Sequence, residues 1–163
     1  MNWEQLLSSK RLGLENYHKT DKKNRTEFQR DYDRVIFSSS FRRLQNKTQV
    51  FPLPGRIFVH NRLTHSLEVA SVGRSLGNEI VLKLQGKRNL PLSDITGIVS
   101  AACLVHDLGN PPFGHSGEKV ISDFFITNSE KIKSEFTTAQ WNDLINFEGN
   151  ANAFRLLTHP FCW

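Results

Sequence analysis

Apolar side chains recur at steps of three and four residues along most of this 163-residue chain, and that spacing restricts its possible folds more than any other feature. Because an α-helix has 3.6 residues per turn, such positions share one helix face. No segment alternates convincingly with the period of two that a strand requires, so the sequence predicts an all-α fold. The pattern occurs in five segments, at Phe28, Tyr32, Val35, Ile36 and Phe41; at Val69, Val72, Leu76, Ile80 and Leu84; at Ile95, Val99 and Ala102; at Val120, Ile121, Phe124 and Phe125; and at Trp141, Leu144, Ile145, Phe154 and Leu157.

Capping residues suggest where these helices begin. Thr26 and Gln29 have the spacing of a capping box, which predicts a helix that starts there and continues through Phe41. Hydroxyl side chains are good helix N-caps because they accept a bond from an unpaired backbone N–H. The next three helices are predicted to begin at Thr64, Ser93 and Ser116, and the last one to run from Thr138 to His159.

The remaining segments outline the domain. Residues 1–24 are polar and charged, which predicts an N-terminal arm or a short helix, and residues 25–163 then form the domain. The prolines of "FPLPG", residues 51–55, predict a turn. The chain stops at "FCW", in apolar residues directly after a helix. Natural domains can end in this way, and a truncated chain is the alternative; the family resemblance given below implies the second, a domain incomplete at its C-terminal end.

The net charge favours anionic partners. Lys and Arg number 21 against 16 Asp and Glu, which gives a formal charge of +5 and a pI near 9.4. Such a surplus attracts nucleotides, nucleic acid or acidic lipid. No apolar run is long enough for a membrane span, and no signal peptide is recognisable. Cys103 and Cys162 lie far apart without metal-binding spacing, so we expect a cytoplasmic protein with reduced thiols.

Two histidines fall on the apolar helix positions. Four residues before Val69 is His65, and four residues after Ala102 is His106, with Asp107 directly following. Imidazole is the commonest side-chain metal ligand, and an adjacent carboxylate adds an oxygen donor. The three side chains therefore predict a divalent metal site. Mixed nitrogen and oxygen ligands suit Mn, Fe, Co, Ni or Zn, whereas Mg prefers oxygen. The alternative is that both are core histidines bonded to the backbone.

A second pair follows the stiff turn "GNPPFG", residues 109–114. Glu118 is expected in the first turn of the helix predicted to begin at Ser116, where the helix dipole stabilises a carboxylate. His115 lies immediately before it. A carboxylate beside a histidine fixes the imidazole tautomer and raises its pKa, as a general acid requires. The alternative interpretation is a capping glutamate next to a solvated histidine.

The motifs "THSLEV" and "CLVHDLGNPPFGHSGE" resemble those of the HD-domain superfamily. Together with "FRRLQNKTQVFP", "NRLTHSLEVASVGRSLG" and "NFEGNANAFRLL", they resemble the bacterial deoxyguanosine triphosphate triphosphohydrolases across residues 25–159. The resemblance implies an HD-domain helical bundle, truncated here, and a homo-oligomeric full-length enzyme. It also implies metal-dependent hydrolysis of a deoxynucleoside triphosphate, with dGTP expected first, to the deoxynucleoside and triphosphate.

The resemblance assigns roles by motif position. A fourth metal ligand, an aspartate in the family, is expected beyond Trp163, since neither Asp123 nor Asp143 lies in the expected motif. The metal itself stays open among Mn, Mg, Fe, Co, Ni and Zn. The implied roles are metal ligands for His65, His106 and Asp107; the catalytic pair beside the α-phosphate for His115 and Glu118; and substrate contacts for Gln49 (sugar 3′-hydroxyl), Arg62 (phosphate) and Asn110 (near the α-phosphate).

Other functions remain open at this point. One is a different HD-type nucleotide phosphohydrolase, such as a nucleotidase or phosphodiesterase. Another is a non-catalytic fragment that binds nucleotide or single-stranded nucleic acid through its basic surface, with the 163-residue chain itself inactive.

Overall fold

The computed structural model of the chain describes residues 3–10, 25–49, 60–85 and 92–159. The predicted "FPLPG" turn, most of the 1–24 arm and the final "FCW" lie outside these ranges. Within them, the secondary structure is helical apart from one isolated antiparallel bridge between Thr48 and Asn61. The all-α prediction is confirmed. In the same ranges, no helix combines the length and apolar character that crossing a membrane would need.

The chain divides into two compact units, and each unit is made of two separate stretches of the sequence. The first unit consists of Met1–Ser38 and Ser66–Leu104, and the second of Ser39–His65 and Val105–Trp163. All eight predicted site residues belong to the second unit. The helices are α1 (Trp3–Leu6), α2 (Glu27–Phe37), α3 (Ser39–Arg42), α4 (Arg62–Leu84), α5 (Ser93–Val105), α6 (His115–Thr127), α7 (Ser129–Ile132), α8 (Thr138–Ile145) and α9 (Gly149–Thr158), with 3₁₀ turns at Arg43–Asn46 and Lys133–Glu135.

In the first unit, α4 meets α5 through its smallest residues. The Ser100 hydroxyl donates to the carbonyl oxygen of Ala70 across 3.3 Å. A Cβ added at Gly73 would come within 2.6 Å of the Cys103 sulfur, and one at Gly77 within 3.0 Å of the Thr96 backbone. Such close backbone approach leaves no room for larger side chains on this face of α4.

The predicted apolar face of α4 is wrong at three of its five positions, whereas Val69 is half-buried and Leu84 packs against the core. Val72, Leu76 and Ile80 are 61%, 54% and 42% exposed. The buried face runs through Ala70, Gly73 and Gly77 instead. The Ala102 prediction is also wrong, since this residue of α5 is exposed. The core of the first unit is a cluster of Leu7, Leu92 and Ile95, against which Trp3, Val81, Leu84, Ile98 and Val99 pack.

Two predicted long helices are interrupted. The helix that begins with the Thr26–Gln29 capping box, which is confirmed, ends at Phe37 because Ser38 is extended, with φ −69° and ψ 145°. Phe41 is buried in the separate α3. The predicted Thr138–His159 helix is likewise two helices. Glu148 breaks it, since its extended backbone precedes α9 and its carboxylate accepts from the N–H groups of Asn150 and Ala151.

Three of the five predicted helix starts are confirmed, at Thr26, Ser93 and Thr138, and the other two are wrong. Helix α5 begins at Ser93, as predicted. Helix α4 begins at Arg62 rather than Thr64, and the side-chain oxygen of Asn61 accepts from the Thr64 N–H at 2.9 Å. Helix α6 begins at His115 rather than at a Ser116 cap. Its N-cap residue is Gly114, whose backbone at φ 57° favours glycine over any residue with a side chain.

Candidate active site

A short antiparallel pairing joins the segment of Gln49 to the start of α4. The Arg62 N–H donates to the carbonyl oxygen of Lys47 at 2.8 Å, and the Gln49 N–H donates to the carbonyl oxygen of His60 at 3.3 Å. The Thr48–Asn61 bridge lies between these two bonds. The pairing sets the register of the two segments, so the side chains of Gln49 and Arg62 are both brought towards Asp107.

Three potential metal ligands converge in the second unit. His65 lies in the first turn of α4, and His106 and Asp107 lie in the turn that follows α5. One ligand atom from each lies within 4.8 Å of the others, and Nε2 of His106 is 3.5 Å from Oδ2 of Asp107. Ligands about 2.1 Å from one ion are at most about 4.2 Å apart. The three side chains therefore need only a small closure to share an ion.

The two histidines are less buried than the apolar pattern predicts. His65 is half-buried, and His106 is exposed beyond the end of α5. The centres of their rings are 5.2 Å apart and the ring planes meet at 65°. The prediction that His106 continues the buried face of α5 is wrong because the helix ends at Val105 and the chain turns there. The side chain of His106 is consequently open to an incoming ion.

Both carboxylate oxygens of Asp107 already have protein partners. Nη1 of Arg62 lies 2.7 Å from Oδ2, and Nε2 of Gln49 approaches the same oxygen at 3.4 Å. Nδ2 of Asn110 donates to Oδ1 at 2.7 Å. Arg62 is only 4% exposed. Three of the predicted substrate contacts thus meet at one of the predicted metal ligands.

The predicted acid–base pair is also formed. Nδ1 of His115 donates to Oε2 of Glu118 at 2.7 Å, and Oε1 of Glu118 accepts from the N–H of Gly149 at 2.9 Å. The His115 side chain is 93% exposed, whereas that of Glu118 is 12% exposed. The hydrogen bond to Glu118, followed by the carboxylate charge, raises the pKa of His115 above its ordinary value. The imidazole is therefore protonated at a higher pH than a free histidine.

Comparison with known proteins places the chain. A family model described as the HD domain matches residues 62–150, which is more than half of the sequence. The chain belongs to the HD domain family. The resemblance to the HD-domain superfamily that was inferred from its motifs is thus confirmed, and the matched region contains His65, His106 and Asp107.

Curated relatives align with most of this chain. A deoxyguanosinetriphosphate triphosphohydrolase-like protein of Pseudomonas aeruginosa is 47% identical over 161 residues, which are 97% of this chain and 36% of the relative. A protein of the same description from Synechocystis sp. is 45% identical over 164 residues. The deoxyguanosinetriphosphate triphosphohydrolase of an Enterobacter species is 40% identical over 162 residues, 80% of this chain and 32% of the relative. The chain spans about a third of the length of these relatives.

Two residues that sequence reasoning missed, Lys47 and Gly149, make contacts that help to hold this site together. The Lys47 ammonium donates to the carbonyl oxygen of Asn110 at 2.8 Å. Burial, and then the charge of Arg62, lower the pKa of Lys47. Gly149 supplies the N–H that binds Glu118. Both lie in motifs that the sequence singled out, which was a usable signal, but neither residue had been given a role.

Close backbone contact at Gly149 explains why a glycine begins α9. A Cβ added there would overlap Oδ1 of Asn110 and lie 2.7 Å from Oε1 of Glu118.

The turn that precedes α6 bends sharply, since Phe113 has φ 67° and Gly114 has φ 57°. A non-glycine residue rarely adopts a positive φ, so the surrounding contacts must stabilise this conformation. The turn carries the chain from Asp107 to His115.

A cavity of about 550 Å³ opens beside this turn in the HD domain. Its wall is mainly apolar, and Gln49 contributes an amide to it. The volume lies in the range that small-molecule sites occupy, roughly 300–1,000 Å³. The residues lining it are Gln49, Pro111, Pro112, Phe113, Ser116, Gly117, Val120 and Ile121.

Proposed function

We propose that the chain carries the metal-binding and acid–base residues of a deoxynucleoside triphosphate triphosphohydrolase, with dGTP as the first candidate substrate. One observation carries the proposal: the trio of His65, His106 and Asp107 and the pair of His115 and Glu118 occur together in one compact unit. The names of the relatives support the same reaction. The products would be a deoxynucleoside and intact triphosphate.

The metal would be held by His65, His106 and Asp107, whose nitrogen and oxygen donors fit a divalent transition metal such as Mn, Fe, Co, Ni or Zn. Mg remains a candidate by family resemblance. When bound, the ion would polarise a phosphoryl oxygen and lower the pKa of a water molecule. An arginine fork pairs with phosphate oxygens through two donors, and Arg62 supplies such a fork beside the trio.

His115 acts as the general acid in this proposal. Glu118 holds Nδ1, so Nε2 is the nitrogen that meets the substrate. Water attacks the α-phosphorus, the bond from phosphorus to the 5′-oxygen breaks, and Nε2–H of His115 gives its proton to the leaving 5′-oxygen. The water oxygen stays on the released triphosphate, and a proton from that water returns the imidazole to its starting state. Gln49 would bind the sugar 3′-hydroxyl, and Asn110 would lie near the α-phosphate.

The products of the reaction test the proposal. We would incubate the chain with Mn²⁺ and each of the four common deoxynucleoside triphosphates, and separate the products by anion exchange. Triphosphate and deoxynucleoside in equal amounts are expected, and neither should form with His106→Ala. Orthophosphate or pyrophosphate without triphosphate would contradict the proposed cleavage. A panel of nucleoside monophosphates and cyclic nucleotides then tests the alternative of another HD-type phosphohydrolase.

The net charge of +5 favours a second candidate, the binding of single-stranded nucleic acid without turnover. Binding through neutralised phosphates weakens steeply as salt rises. Fluorescence anisotropy of a labelled single strand over a salt series measures that slope. His106→Ala should leave this binding unchanged, because it removes a proposed metal ligand and no lysine or arginine. A loss of strand binding in His106→Ala would contradict an electrostatic, metal-independent mode.

A further inference from the structure

The closest ion pair at the trio joins Arg62 to Asp107. Their Nη1 and Oδ2 atoms are 2.7 Å apart, and the two side chains are 5% and 13% exposed. Nε of Arg62 is buried and has no hydrogen-bond partner within the described residues. A guanidinium this deeply buried needs a negative partner, since an isolated buried charge is very costly. Asp107 is that partner.

The oxygen that binds Arg62 is also the one that faces His106. Oδ2 of Asp107 lies 3.5 Å from Nε2 of His106, which is about the separation of two ligands on one tetrahedral ion. The other oxygen, Oδ1, already accepts from Nδ2 of Asn110 at 2.7 Å. The arginine therefore occupies the carboxylate atom that would complete the metal trio.

We propose that Arg62 is an internal counter-cation of Asp107 that competes with the metal ion for Oδ2. Binding of the ion then requires the guanidinium to move off this oxygen. A divalent ion and a guanidinium repel each other strongly when both are a few ångströms apart in a partly buried site. Lys47 adds a third cation nearby, and its pKa is lowered by burial and then by the charge of Arg62. Metal affinity is thus held down by the arginine.

The other end of the Arg62 guanidinium lies beside Gly114. A Cβ placed on Gly114 would be 3.2 Å from Nη2 of Arg62, so this end of the guanidinium already lies against the residue before His115. When a metal ion binds Oδ2 of Asp107, the N–H donors of Arg62 that leave this oxygen would face the acid–base pair. The proposed function places the substrate phosphate there. The competition rests on the metal site of that proposed function but not on its reaction.

Calorimetric titration with Mn²⁺, in the absence of any nucleotide, tests the competition. In Arg62→Gln the side-chain amide can still donate to Oδ2, but the charge is gone. We expect this variant to bind Mn²⁺ at least about tenfold more tightly than the unchanged chain, because one like charge near the ion is removed. Arg62→Lys keeps the charge and loses the fork, so its affinity should fall between the two. Arg34→Gln is the control: it removes the same charge from a pair with Asp31 on the exposed face of α2, and its affinity should not change.

Each outcome decides the proposal. Equal or weaker Mn²⁺ binding by Arg62→Gln would overturn it, because the arginine would then support the ligand rather than compete with the ion. Absence of binding by every protein, including Arg62→Gln, would overturn it as well. If circular dichroism shows that Arg62→Gln is unfolded, Arg62→Lys decides, and an affinity no higher than that of the unchanged chain counts against competition. His106→Ala separates the two proposals: unchanged Mn²⁺ affinity in that variant means that the metal site itself is misplaced.

Discussion

Glu118 shows how one side chain links the proposed acid–base pair to its surroundings. It is the half-buried member of the pair, and one of its oxygens is held by the N–H of Gly149 while the other binds His115. The Gly149 N–H thus holds the Glu118 carboxylate in position, and the carboxylate in turn orients the exposed imidazole of His115. This arrangement explains how a histidine whose side chain is 93% exposed keeps a defined position.

Glu118→Gln should lower the pKa of His115 towards its ordinary value of 6.5. The glutamine keeps a hydrogen-bond acceptor but removes the carboxylate charge. Titration of the His115 ring signals by NMR measures the change, and Glu130→Gln, an exposed change on α7, is the control. An unaltered His115 titration in Glu118→Gln would show that the carboxylate does not set the pKa.

The same pair has a defined effect on stability. The folded-state pKa of His115 is raised, so the stabilisation is fully present below pH 6.5 and is lost as the pH rises through the raised value. Glu118→Gln should therefore flatten the pH dependence of unfolding in that window. Urea titrations at several pH values would reveal it, and a dependence as steep as before contradicts the linkage.

Gly149→Ala should destabilise the second unit by about 1–3 kcal/mol, because overpacking forces neighbours to shift. The added methyl would overlap Oδ1 of Asn110 and press on Glu118. Gly97→Ala is a matched change in α5, where the new Cβ would lie 3.4 Å from Cβ of Phe28, an ordinary contact. That variant should gain about 0.5–1 kcal/mol from the better helix propensity of alanine. Denaturant unfolding compares the two, and equal effects would contradict the crowding at Gly149.

At the scale of elements, α4 has two faces that could be buried, and its sequence alone does not show which of them packs against another helix. One face carries Val72, Leu76 and Ile80, and the other carries Ala70, Gly73 and Gly77. A periodicity argument selects the more hydrophobic face for burial. The structure buries the small face, since it allows the backbones of α4 and α5 to approach. Which face is buried depends on the partner helix, and a single sequence does not contain that information locally.

Leu76→Lys distinguishes the two faces of α4. Leu76 is 54% exposed, so the change should alter the free energy of unfolding by no more than about 0.5 kcal/mol. Burial of this leucine, as the periodicity predicts, would instead make the lysine cost several kcal/mol. Urea unfolding of the variant measures the difference. Leu104→Lys, at a fully buried position of α5, shows what a buried site loses.

Local signals predicted elements well and distant contacts poorly. The capping box at Thr26 and the start of α5 at Ser93 depend on a few consecutive residues, and both were predicted correctly. The bonds from Lys47 to Asn110 and from Gly149 to Glu118 join residues 63 and 31 positions apart. Such bonds depend on how the elements meet, which propensity does not encode. The proximity of His65, His106 and Asp107 was expected because these residues lie in motifs whose side chains come together in the HD-domain superfamily.

At the scale of the whole molecule, a metal would join segments that are distant in sequence. His65 precedes most of α4, and His106 and Asp107 follow α5. An ion that binds the folded state and not the unfolded chain stabilises the fold by mass action. The three proposed ligands would therefore connect the proposed chemistry with the stability of the second unit, in which all of them lie.

Mn²⁺ should therefore raise the midpoint of thermal unfolding, and EDTA should reverse the effect. With free metal at 100 times its dissociation constant, the free energy of unfolding gains about 2.7 kcal/mol. His106→Ala should lose the response while still folding, because this side chain is exposed. His159→Ala, which removes an exposed histidine after α9, should keep it. If Mn²⁺ stabilises both variants equally, the ion is binding elsewhere on the chain. Circular dichroism at a helical wavelength follows all three proteins, and only a loss confined to His106→Ala agrees with a shared ion at the trio.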